Sequence, residues 1–255
     1  MKESHKLICS TSLMIVVFYL AGISNVWTHT RAVKNKNIYP LQDLGFELLD
    51  NIHMENFIPM NDYLLYIIAG IATIWTIFFS NKKIIIFKRW TLMITILFLI
   101  RLITVPSTIL TRPYHNISDW HSCKTLDYDY GNLLLSPLKV MFDGKMTCFD
   151  FFFSGHTINI IIPTLIIQKY FPNNNKYLKY FIVSLMWVLS FACMFFIILL
   201  HSHYTIDVEA ALLFTVLIWM VMDFQIEKQK GFFSYWEKRK IENIEKMRVI
   251  DIESQ

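Results

Sequence analysis

Cysteine is scarce and scattered in this chain: there are four, none in a close pair, which argues against a metal cluster or a disulfide-dense scaffold. No run of carboxylates is present that would hold a metal, so neither metal nor cofactor is expected. No repeat or low-complexity segment stands out, and nothing points to a nucleic-acid partner. Glycine and proline number only seven each and charged residues make up 17%, against 55% hydrophobic residues and a mean hydropathy of +0.41. That balance is too apolar for a soluble domain of this size. Several uninterrupted apolar runs are long enough to cross a bilayer. The expectation is an all-α integral membrane protein.

Six stretches carry the expectation of transmembrane helices: about Leu7 to Trp27, Tyr63 to Phe79, Trp90 to Val105, Phe151 to about Tyr170, Tyr180 to Leu200, and about Ile206 to Phe224. The first is read as a retained helix rather than a cleaved signal, because the small-residue cleavage pattern is weak. Pro163 is a candidate kink in the fourth. Residues 1–224 would form one six-helix catalytic unit and 225–255 a charged cytosolic tail, with Phe232, Phe233 and Trp236 set to lie on a membrane surface. Basic residues fix the orientation. Lys2 and Lys6 precede the first helix, Lys82, Lys83, Lys88 and Arg89 crowd the turn Asn81 to Arg89, and Lys169, Lys176 and Lys179 flank the turn Phe171 to Lys179. Both termini are therefore predicted to be cytosolic, and the long segments Thr28 to Asn61 and Pro106 to Asp150 to lie outside.

That orientation brings histidines from two segments to the outer interface. Leu200-His-Ser-His-Tyr-Thr-Ile-Asp-Val208 holds His203 and Asp207 four residues apart. If the segment is helical from His203 onward, imidazole and carboxylate share one face. Ser154-Gly-His156 opens the fourth helix on the same side, and Arg101 lies near the outer end of the third. Two histidines and a carboxylate suit phosphoryl-type transfer through a covalent phosphohistidine. One imidazole, held by the acid, attacks phosphorus, and the other exchanges protons with the leaving and entering alcohols. Gly155 lets a phosphate approach the backbone, Ser154 can donate to a phosphoryl oxygen, and Arg101 inside a span is a functional candidate by default. His201 is read as structural, and His115 and His121 as solvated loop residues.

These residues carry a resemblance. Cys148-Phe-Asp150-x3-Ser154-Gly-His-Thr157 resembles the Cys-Gly-Asp-x3-Ser-Gly-His-Thr motif of the sphingomyelin synthase family, and His203-Tyr-Thr-Ile-Asp-Val208 resembles its His-Tyr-Ser/Thr-x-Asp-Val motif. Pro40-Leu-Gln-Asp43 and the Arg101 to Pro106 region are similar to shorter family elements. The likeness spans about residues 38 to 215. It implies an integral membrane enzyme with its site on the lumenal or exoplasmic side, in Golgi or plasma membrane if the host is eukaryotic. Such an enzyme moves a phospho-head group, typically phosphocholine, from a glycerophospholipid to the primary hydroxyl of ceramide and releases diacylglycerol. By position, His203 would be the nucleophile, Asp207 its orienting partner and His156 the general acid and base. Arg101, Asp150, Ser154, Gly155 and Tyr204 would hold the substrate. Two departures bear on specificity: Phe149 replaces the family's glycine, and Glu209 stands where an aliphatic residue is usual.

The competing expectation is a lipid phosphate phosphatase, a superfamily with the same two-histidine logic and the pattern Lys-x6-Arg-Pro, Ser-Gly-His, Ser-Arg-x5-His-x3-Asp. Arg112-Pro113 is present, but the expected lysine position is Val105 and the expected arginine position is Ile197. A phosphomonoester dianion wants those cations, whereas a phosphodiester needs fewer. Transfer of phosphoethanolamine or phosphoinositol fits the same site. A binding or structural protein with a dead site is the third reading, and the intact triad speaks against it. Asn116-Ile-Ser118 is a glycosylation sequon on the predicted outer side. Cys123 and Cys148 share that loop, and their pairing is left open, as is the oligomeric state.

Overall fold

The computed structural model describes residues 3–34, 41–49, 60–80, 82–110, 151–172, 175–228 and 232. The described residues form helices and no strand: α1 (Glu3–Lys34), α2 (Leu44–Leu49), α3 (Met60–Phe79), α4 (Lys83–Ser107), α5 (Gly155–Tyr170), α6 (Lys176–Leu199) and α7 (Thr205–Glu227). Each of the six predicted apolar stretches falls on one of the six long helices. Four of them, over His5–Arg31, Lys83–Ser107, Lys176–Leu199 and Thr205–Glu227, are long and apolar enough to cross a membrane. Asp150, Cys123, Cys148 and the Asn116 sequon lie outside the described residues, as does the tail beyond 228 except Phe232.

The centre of the bundle is α5, whose residues from Thr157 to Ile167 are nearly all buried, with Ile158, Ile160, Ile161, Ile162 and Ile167 at 0% exposure. A helix apolar on every side needs neighbours on every side, and α5 is wedged among α3, α6 and α7. Pro163 is buried within it and the helix runs through unbroken. Small hydroxyls join the helices where they come close: Thr164 and Ser190 share a 2.8 Å hydrogen bond between α5 and α6. α1 lies chiefly along α4, where Thr91 donates to Ser10 over 3.2 Å.

Two boundaries differ from the sequence reading, for identifiable reasons. The third long helix begins at Lys83 rather than Trp90, so Lys88 and Arg89 are buried helix residues and not loop charges. The Arg89 guanidinium pairs with Asp223, donates to the Tyr170 hydroxyl over 3.1 Å and lies 3.8 Å from the Trp219 ring centroid. Lys169 adds a 2.8 Å contact to the same carboxylate. This cluster ties α4, α5 and α7 together at the end of the bundle remote from Arg101. Truncating one member of a buried ion pair strands the other charge, at a cost of about 3–5 kcal/mol. Arg89→Ala is therefore expected to lower the melting temperature of the detergent-solubilised protein sharply, read by intrinsic fluorescence, and unchanged melting would remove the cluster from the fold's supports.

The second difference is at α5, which starts at Gly155, not Phe151. Phe152 (φ 76°) and Phe153 (φ 97°) have left-handed backbone that bulky residues rarely adopt. The hydrogen bonds that hold them there belong to the site.

Candidate active site

The end of α6 sets where the catalytic loop begins. His201 has φ 51°, its N–H donates to the Ile198 carbonyl over 2.9 Å, and Ser202 N–H donates to the Ile197 carbonyl over 2.9 Å. This is a Schellman cap with histidine in the position glycine usually takes. The cap turns the chain so that two residues later His203 faces inward, 5% exposed. His201 itself is tied down, its ring 4.1 Å from that of Phe46 and its Nδ1 3.2 Å from the Leu199 carbonyl.

The next helix, α7, begins at Thr205, so His203 precedes it and the pair does not sit on one helical face as the spacing suggested. The two residues meet because Asp207 folds back over the helix start. Its Oδ2 accepts from Tyr204 N–H over 3.2 Å and lies 3.4 Å from His203 Nδ1. Its Oδ1 accepts from Phe152 N–H over 3.1 Å, and its backbone carbonyl accepts from Ser154 N–H over 3.1 Å. One fully buried aspartate thus anchors both the histidine loop and the strained Phe151–Ser154 approach to α5. Arg101, reaching from α4, donates to the Phe153 carbonyl and completes the hold on that segment.

Ser154 then caps α5, its hydroxyl accepting from Thr157 N–H over 3.2 Å. The cap puts His156 in the first turn, with Nδ1 3.4 Å from His203 Nε2. Gly155 gives the Arg101 guanidinium room: a β-carbon there would stand 3.1 Å from Arg101 Nη1, so a larger residue would require that group to shift. The Phe151 ring stands edge-on to His203, with 5.4 Å between centroids, and screens it. His203 lies in the connection between α6 and α7. Burial pushes its imidazole below the ordinary value, the hydrogen bond to Asp207 opposes that, and the positive potentials of His156 and Arg101 lower it further.

The structure brings His156, His203, Asp207, Arg101, Ser154, Gly155 and Tyr204 to one end of the bundle, while Asp150 lies outside the described residues. Tyr204 is 1% exposed, and its hydroxyl accepts from Leu41 N–H over 3.2 Å. Glu209 is exposed, two residues on from Asp207 and so across the helix from the histidines. Asp43 and Phe46, beside this loop, have no site role in the sequence reading. Asp43 entered that reading only as the end of the Pro40-Leu-Gln-Asp43 element. The arrangement can fix one imidazole tautomer, offer its second nitrogen as a nucleophile and keep another imidazole within proton-transfer reach.

Residues 147–224 match the family model described as PAP2 superfamily C-terminal. Over 216 residues the chain is 28% identical to sphingomyelin synthase-related 1 of Caenorhabditis elegans, covering 82% of this chain and 43% of that protein. It is 25% identical to human sphingomyelin synthase-related protein 1, covering 86% and 52% of the two chains. It is also 28% identical to phosphatidylcholine:ceramide cholinephosphotransferase 1 of Gallus gallus, covering 82% and 49%. The chain spans about half the length of the curated relatives it matches. The resemblance to the sphingomyelin synthase family carried by the two histidine motifs holds across most of the chain.

Proposed function

We propose, from this family resemblance, that the protein is a membrane phosphotransferase. It moves a phospho-head group, phosphocholine foremost, from a glycerophospholipid to the primary hydroxyl of ceramide. The observation that carries the reading is the line of three groups, Asp207 to His203 Nδ1 and His203 Nε2 to His156 Nδ1, each gap 3.4 Å. With its Nδ1–H directed at the Asp207 carboxylate, His203 presents the Nε2 lone pair. Nε2 attacks phosphorus as the bond to the diacylglycerol oxygen breaks, and protonated His156 gives that oxygen its proton, releasing diacylglycerol. The ceramide hydroxyl then returns a proton to His156 as its oxygen attacks the phosphohistidine, which restores His203. The donor would displace the resting contact between the imidazoles.

Arg101 would balance the single negative charge of a phosphodiester, and Gly155 and Ser154 would line the phosphate's approach at the start of α5. In the membrane, all six long helices would cross with both termini cytosolic. The site would then face the lumenal or exoplasmic leaflet. Lys83, Lys169 and Lys176 supply the argument, since they sit at helix ends opposite Arg101, Gly155 and Leu199. Residues 1–224 would be the catalytic unit and 225–255 a cytosolic tail.

The test presents purified protein with labelled ceramide and, separately, phosphatidylcholine or phosphatidic acid. A ceramide phospholipid and diacylglycerol are expected from the first donor only. Inorganic phosphate from phosphatidic acid with no ceramide phospholipid would make the protein a phosphatase, and no product from either would sink the enzyme reading. Phosphoethanolamine and phosphoinositol lipids in the same assay rank the head groups.

A further inference from the structure

The segment Leu41–Phe46 lies against the catalytic loop and is bonded to it at several points. Asp43 Oδ2 accepts from Thr205 N–H over 2.8 Å, and Oδ1 accepts from the Thr205 hydroxyl over 2.6 Å. The same Oδ1 takes Gly45 N–H at 2.9 Å and Phe46 N–H at 3.4 Å, capping α2. One carboxylate therefore ends two helices at once, its own and, across 162 residues of chain, α7. Leu41 N–H donates to the Tyr204 hydroxyl over 3.2 Å, and the Phe46 ring lies 4.1 Å from His201 and 5.7 Å from Tyr204. The contacts that leave the segment, to His201, Tyr204 and Thr205, all land within two residues of His203. Space is tight enough to exclude a side chain on Gly45, whose β-carbon would overlap Thr205 Oγ1 and stand 2.9 Å from Ile198 Cγ2.

We propose that Asp43 is a positioning residue for the head-group transfer, latching the 41–46 segment onto the first turn of α7 so that Asp207 and His203 hold their attacking geometry. The inference rests on His203 being the nucleophile. Asp43 touches neither imidazole. It binds Thr205 N–H, one of the amides a helix start leaves without a partner, and so fixes the turn from which Asp207 reaches back. Asp43 and Asp207 divide that turn between them, taking Thr205 N–H and Tyr204 N–H respectively. Without Asp43 the turn is free to shift, and a shift of about 1 Å at reacting atoms costs on the order of 10²-fold in rate. Among the described residues, the charged and titratable groups that act on the His203 imidazole are Asp207 from α7, His156 from α5 and Arg101 from α4.

The experiment measures turnover of phosphatidylcholine and labelled ceramide by Asp43→Ala, Gly45→Ala, the double variant and Thr205→Ser, each normalised to folded protein by size-exclusion recovery. Asp43→Ala and Gly45→Ala are each expected to lower kcat about 10²-fold with little change in KM. The double variant should be no worse than the poorer single one, since both open the same latch. Thr205→Ser keeps amide and hydroxyl and should stay within about twofold of wild type. The acid limb of the pH–rate profile is expected to move to higher pH in Gly45→Ala, because a rehydrated His203 protonates more readily. Wild-type kcat in both single variants, additive losses in the double, or an unmoved acid limb beside a loss explained by folded yield would each overturn the latch. Should Asp43→Ala fail to fold, Gly45→Ala and its pH profile carry the same decision. Absence of product from wild type would instead count against the transfer reaction itself.

Discussion

Replacing His203 with alanine is expected to leave no ceramide phospholipid above background, a loss on the order of 10⁴-fold or more. The expectation is this large because the proposed reaction has two displacements and both use the same nitrogen. His203 Nε2 makes the bond to phosphorus in the first and is the leaving group in the second. The neighbouring imidazole has the other role: His156, whose Nδ1 lies 3.4 Å away, carries the proton in both displacements. The decisive measurement uses donor lipid labelled in its phosphate and quenched in alkali, where a phosphohistidine survives. Wild type should retain label on the protein and the variant none, while label loss on acid treatment identifies the nitrogen–phosphorus bond. Undiminished product from His203→Ala would end the nucleophile assignment. The pH dependence has a definite sign. Burial holds the His203 imidazole below the ordinary value, so the neutral, attacking form persists as pH falls through the usual histidine range. The acid limb should therefore lie below that range, the rate being lost as pH drops through the lowered value.

The six long helices were legible because each carries a long, predominantly apolar run, a local property. What the sequence misled on was the ends. Phe151-Phe-Phe153 reads as the opening of a helix by hydropathy alone, yet its backbone amide and carbonyl groups are taken by Asp207 and Arg101, which come from other helices. Lys88 and Arg89 read as loop charges, yet Arg89 finds Asp223 at a separation of 134 residues and becomes part of the core. The histidines and Asp207 were legible as a motif, and their meeting depends on two caps that spacing could not supply. One is the Schellman turn at His201, where no glycine signals it. The other is the return of Asp207 over the start of α7. Asp43 was visible only as part of a short motif near the first outer segment. Its partner Thr205 lies 162 residues away, and nothing local to either residue names the other.

Asp207→Asn is the second large effect, and it separates geometry from charge at almost constant volume. In the protein, Asp207 Oδ1 accepts from Phe152 N–H while Oδ2 accepts from Tyr204 N–H and from His203 Nδ1. An asparagine has one acceptor oxygen and one amide that only donates. If the oxygen keeps Tyr204 and His203, the amide meets the Phe152 N–H and the strained approach to α5 loosens. If it keeps Phe152, the amide faces His203 Nδ1, the imidazole turns to the tautomer carrying its proton on Nε2, and the lone pair points away from phosphorus. Either arrangement removes the attacking nitrogen from its line. The expected loss in kcat is on the order of 10³–10⁴-fold, the scale seen when a triad aspartate is made neutral. KM should change little, because Asp207 is fully buried beneath His203 and does not meet the lipid. Alkaline quench should show label on the protein forming at a correspondingly slower rate. An Asp207→Asn protein that turns over within tenfold of wild type would mean that His203 needs no carboxylate to orient it, and that Asp207 serves the backbone of Phe152 and Tyr204 alone.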